Sequence, residues 1–244
     1  MPQKRKRQPA RIKPVKISRE RSSVINYANL FDEIDTLSDE RRAKFNESLY
    51  ETKRLRSLGV KIPDLRKIAK KYQDLPLHLF LGSNYFEYRF LFFTIGLRKL
   101  DSLKEQVDFI IKNKNLLISW ALTDSIVNEF HIDTLKKTLA ALKAFITDGS
   151  EYLIRLSYVI LIKFASSPEQ ELYDFVTDND SLIVKKAIAW LYSYLFISDE
   201  ERMLNDAKRF SLETRKLIVQ KVRESLRVSK EKKDHCKSVL LLDA

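Results

Sequence analysis

The chain has 244 residues, 44% apolar and 11% aromatic, enough for a sizeable core in one large domain or two small ones. Its formal charge is +12, and four Gly and six Pro are too few for hairpins or glycine-rich phosphate loops, so helices with short connections are expected. Cys236 is the only cysteine, and His78, His131 and His235 are scattered. These counts point away from an intramolecular disulfide, a zinc site, any metal and any cofactor.

In chain order, residues 1–22 carry nine Lys and Arg against Glu20, a net +8, with Pro2, Pro9 and Pro14 and few apolar side chains. Such a segment cannot bury enough surface to order itself, so it reads as a disordered basic tail ahead of one domain over 23–244. Lys4-Arg-Lys-Arg7 fits a nuclear address in a eukaryote or a DNA-holding arm in a bacterium. No run of 18 apolar residues and no apolar signal core occur. A soluble protein without a membrane is expected, nucleoid-associated in bacterial cytoplasm or nuclear in a eukaryote.

From Val24 onward the periodicity predicts helices over 24–35, 38–56, 63–73, 85–99, 101–113, 115–130 and 132–147. Further helices are expected over 150–166, 168–177, 181–197, 199–209, 211–226 and 230–241. Pro63 suits a first helical turn, and Ser211 ahead of Glu213 and Thr214 reads as a helix start. No strand alternation competes. Asp180-x-x-x-Val184-Lys-x-Ala187-x-x-x-Leu191 follows the second-helix pattern of HEAT repeats. The expected fold is all-α: a curved α-α superhelix of antiparallel HEAT-like helix pairs.

Three helices carry the candidate chemistry. In Ile118-Ser-Trp-Ala-Leu-Thr-Asp-Ser-Ile126, Trp120 and Asp124 lie four apart and share one helix face. A carboxylate beside an indole suits a partly cationic ligand, although a core Trp and a locally paired Asp would fit the same residues. Residues 151–164 are apolar almost all round, with Arg155 in their midst. A guanidinium there needs a carboxylate, a phosphate or water, and Asp124 is the obvious intramolecular partner. Trp190 centres the third helix, a turn after Lys185 and Lys186, where it equally suits the core. Residues 208–237 add eleven Lys and Arg against four acids. Basic segments at both ends favour a polyanionic partner, namely nucleic acid.

Together these residues resemble the AlkD-type DNA alkylation repair glycosylases. The likeness covers roughly residues 45–240 and rests on Leu58-Gly-Val-Lys-Ile-Pro-Asp-Leu-Arg-Lys67, Phe86-Glu-Tyr-Arg89, Trp120-Ala-Leu-Thr-Asp124, Arg155, Lys186-Ala-Ile-Ala-Trp190 and Lys221-Val-Arg-Glu-Ser-Leu-Arg-Val-Ser229. The resemblance implies release of 3-methyladenine or 7-methylguanine type bases from duplex DNA, without flipping them into a pocket. It implies Asp124 as catalytic carboxylate, Trp120 and Trp190 against the lesion's sugar and backbone, and Arg155 toward a DNA phosphate; Lys185 and Lys186, a turn before Trp190, are expected beside it as DNA-binding residues. No lysine is clearly placed as an attacking amine, so a monofunctional enzyme is expected, and a monomer. Ala121 departs from relatives that carry a second Trp or a polar residue there. A non-catalytic scaffold for bent or branched DNA, or a HEAT-like protein-interaction module, are the alternatives from other classes.

Overall fold

The computed structural model describes residues 28–241, so the basic tail expected over 1–22 lies outside the described residues. Thirteen α-helices and no strand occur among them. The first is α1 (28–37), followed by α2 (Glu40–Leu49), α3 (Ile62–Lys71), α4 (Phe86–Arg98), α5 (Leu103–Lys112), α6 (Trp120–Ile126) and α7 (Leu135–Asp148). Then come α8 (Glu151–Leu161), α9 (Gln170–Phe175), α10 (Leu182–Ser198), α11 (Glu200–Ala207), α12 (Leu212–Glu224) and α13 (Lys230–Leu241).

Local chemistry sets most helix starts. Ser102 and Glu105 form a reciprocal capping box at α5. Ser211 accepts the Thr214 N–H at the start of α12, and Pro63 sits in the first turn of α3. The apolar faces then stack in two rows. α4, α6, α8, α10 and α12 pack each on the next, and α5, α7 and α9 form a second row. Links such as α4 on α5, α7 on α8 and α10 on α11 hold the rows together. This is the arrangement of an α-helical repeat superhelix.

The expected helices exist, but two boundaries differ in ways that matter. The helix expected over 38–56 ends at Leu49. Beyond it the chain turns to meet α4, where the buried Glu87 carboxylate accepts hydrogen bonds from Ser57 Oγ, Leu58 N–H and Gly59 N–H, each at 3.0 Å. Gly59 has φ 77°, and a Cβ there would stand 2.2 Å from the Asp39 carbonyl oxygen. Only glycine fits that left-handed, crowded position. The helix expected over 115–130 is likewise broken. A single 3-10 turn (Lys114–Leu116) precedes Ser119, whose hydroxyl accepts the Ala121 N–H and starts α6 at Trp120.

The candidate site around Asp124

Trp120 opens α6, Arg155 lies one turn into α8, Lys186 one turn into α10, and Leu217 just past the first turn of α12. Because these helices form one row, their N-terminal halves come together. A cavity of about 580 Å³ forms between them, lined by Trp120, Asp124, Arg155, Lys186 and Trp190. A neighbouring cavity of about 420 Å³, bounded by α2 and the start of α3, also has Trp120 and Asp124 in its wall.

Asp124 is held from below. Arg155 Nε donates to Oδ1 at 2.9 Å and Nη2 donates to Oδ2 at 2.7 Å, a two-point fork. Both side chains are largely buried, 7% exposed for Arg155 and 14% for Asp124. Arg155 Nη1 donates to the Ile183 carbonyl at 2.9 Å, tying α8 to the start of α10. Three of its five N–H groups are therefore committed. The guanidinium carbon lies 5.7 Å from the centroid of the Trp120 ring, within cation–π range. The partner that the apolar α8 helix demands for Arg155 is thus Asp124.

Trp120 and Trp190 are both partly buried and both line the cavity, Trp190 also packing against the core. Trp120 Nε1 donates to the Leu49 carbonyl at 3.1 Å, which fixes the indole against the end of α2. Lys186 is exposed in the cavity wall and has no ion pair among the described residues. Lys185, its neighbour, is buried on another side of α10 and pairs with Glu213 of α12. The structure does not bring Lys185 to the cavity.

Several cavity residues were not singled out from sequence: Leu49 at the end of α2, Glu51 just beyond it, and Gln220 from α12, beside Lys221 of the Lys221–Ser229 stretch. Glu51 accepts a hydrogen bond from Ser119 Oγ at 3.0 Å, so it is anchored to the start of the helix that bears Asp124. Among the described residues, no group of three or more His, Cys, Asp or Glu is placed to hold a metal ion. No helix among them is long and apolar enough to cross a membrane.

The family model described as DNA alkylation repair enzyme matches residues 31–205, which span α1 to α11 and hold all six candidate residues. The chain belongs to the DNA alkylation repair enzyme family. Its work is therefore DNA repair, and DNA is its substrate. No curated protein matches the chain. Within this family, the segments that carried the resemblance divide their labour. Gly59 and Glu87 build the turn that ends beside the cavity. Arg89 is buried in α4 and donates to the Leu116 carbonyl at 2.8 Å, holding the approach to α6. Burial pushes the Arg89 guanidinium below its ordinary value.

Proposed function

We propose that this protein is a monofunctional DNA glycosylase that hydrolyses the N-glycosidic bond of cationic alkylated purines, of the 3-methyladenine and 7-methylguanine type, in duplex DNA. The observation that carries the reading is a carboxylate fixed by a guanidinium fork at the wall of an indole-lined cavity.

The chemistry follows from the lesion. A purine alkylated at N3 or N7 is already cationic, so the electron pair of the C1′–N bond leaves with it and the base departs neutral. No general acid is required. The sugar left behind resembles an oxocarbenium ion, and a negative charge fixed before the reaction stabilises it most as that charge develops. Asp124 supplies the charge, and the Arg155 fork holds the carboxylate in one orientation. The indoles of Trp120 and Trp190 present flat faces to the sugar and backbone, and such faces favour a cation. A neutral base lacks the leaving-group activation, so selectivity for charged lesions needs no pocket around the base. Lys186, and the N–H groups of Arg155 left over from its pairing, face a polyanion at helix starts whose dipoles also favour negative charge.

The experiment is direct. Methylated duplex DNA is incubated with the protein, and free bases are separated and identified. Release of 7-methylguanine above the rate from DNA alone is expected, with the backbone left uncut. DNA binding with no release would leave the non-catalytic scaffold instead.

A further inference from the structure

The cavity wall holds a second carboxylate. Both oxygens of Asp124 are engaged by Arg155, and Oδ1 also lies 3.1 Å from the Thr123 hydroxyl. Arg155 fixes both oxygens in one orientation, whereas a water poised for attack needs a carboxylate oxygen free of protein donors. Asp124 is suited to stabilising a cation and ill placed to take a proton from that water. Hydrolysis needs both, since water that bonds to C1′ must shed a proton.

Glu51 is the other carboxylate lining this cavity. It lies two residues past the end of α2, and its position is built rather than loose. Ser119 Oγ donates to its Oε2 at 3.0 Å, and the Leu49 carbonyl accepts from Trp120 Nε1 at 3.1 Å. Two hydrogen bonds thus fasten the 49–51 segment to the start of α6. Ser119 is fully buried, so its hydroxyl is a fixed anchor. Glu51 also contributes, through its negative charge, to raising the Tyr152 phenol to about 12, chiefly a burial effect; the neighbouring Arg155 works the other way. No guanidinium or ammonium pairs with Glu51 among the described residues, and its Oε1 makes no hydrogen bond there.

We propose that Glu51 is the general base of the hydrolysis, and that Asp124 and Glu51 divide between them the two tasks a single carboxylate would otherwise share. The inference rests on the glycosylase reading. As the base departs with the C1′–N electron pair, a water held by Glu51 forms the new C1′–O bond. Its proton passes to the Glu51 carboxylate, which becomes a carboxylic acid and later releases it to solvent. The Ser119 anchor sets the direction of the carboxylate, and the Trp120 latch sets its distance from the sugar.

The test is single-turnover release of 7-methylguanine from methylated duplex across about pH 4 to 8, with the parent and Glu51→Gln. Glutamine keeps an oxygen for Ser119 to donate to, so melting and affinity for undamaged duplex should match the parent. The rate should fall about 100-fold, at the lower end for a lost general base, and the acidic limb of the pH profile should disappear. As a second arm, Glu51→Ala should regain part of its rate when formate is added, because a small carboxylate fits the vacated space. Parent rate and profile in Glu51→Gln, with the parent active, would overturn the inference and leave the glycosylase reading standing. A slower Glu51→Gln that keeps its acidic limb would overturn it too, marking Glu51 as a latch. A parent that releases no base would remove both proposals.

Discussion

Arg155 and Asp124 form a two-point pair, Nε to Oδ1 at 2.9 Å and Nη2 to Oδ2 at 2.7 Å, across the packed faces of α8 and α6. Neither charge could stand alone where it is. The guanidinium sits in a helix buried from Leu153 to Leu161, and it cannot discard its proton. The pair is therefore both scaffold and electrostatic device.

Its scaffold role gives the first prediction. Arg155→Met leaves the Asp124 charge without its partner, and disrupting a buried pair from one side costs about 3 to 5 kcal/mol. Arg155→Lys keeps the charge but loses the planar fork, and a smaller loss is expected. Urea unfolding of the three proteins should rank them in that order. Equal midpoints would show that the pair adds nothing to the fold.

A second prediction separates adjacent lysines. If Lys186 meets one DNA phosphate, Lys186→Gln should reduce the slope of log affinity against log salt by about 0.9. Lys185→Gln should leave the slope alone and lower the melting temperature instead, because Lys185 is buried against Glu213. The opposite assignment would place the DNA on another face of α10.

The third concerns two glycines with almost the same backbone angle. Gly59 (φ 77°) would bring a Cβ to 2.2 Å from backbone oxygen, whereas Gly149 (φ 79°) has open space around it. Gly149→Ala should cost about 1 to 2 kcal/mol, the left-handed strain alone. Gly59→Ala should cost more, because backbone at Asp39 and Ala43 must move. Matching losses in thermal unfolding would contradict this account of the turn.

The contrast between what could and could not be read from the sequence is instructive in these same places. Trp120 and Asp124 were visible because i and i+4 share a helix face whatever the fold. Arg155 was visible because an unpaired charge in an apolar helix is untenable, but a carboxylate, a phosphate or water could each have answered it, and only the fold selects Asp124. Lys185 and Lys186 were not separable, since successive helical residues point about 100° apart and the buried side depends on α12. Glu51 was missed for a different reason. Residues 50–56 read as the end of the helix expected over 38–56, and only the distant Glu87 carboxylate pulls the Leu58 and Gly59 N–H groups into a turn beyond it. That is a tertiary choice overriding local propensity.

A fourth prediction follows from Asp178 between α9 and α10. Burial raises its pKa, but the Thr214 hydroxyl at 2.6 Å and the Ser211 N–H at 2.6 Å outweigh that and hold it below the ordinary value. A lowered folded pKa stabilises the protein above the unfolded pKa, and the contribution is lost as pH falls through the folded one. Asp178→Asn should therefore be less stable than the parent at neutral pH by about 1 to 3 kcal/mol. The gap should close below about pH 4. A gap independent of pH would assign it to packing.

The central claim is that the Asp124 charge drives release of a cationic base, and Asp124→Asn isolates that charge with little change of shape. The measurement is the single-turnover rate of 7-methylguanine release from methylated duplex, corrected for release from DNA alone, beside affinity for undamaged duplex. Loss of a comparable preorganised group costs about 100- to 1,000-fold in rate. The account predicts a loss of that order with duplex affinity retained. An Asp124→Asn protein that releases 7-methylguanine as fast as the parent would contradict it.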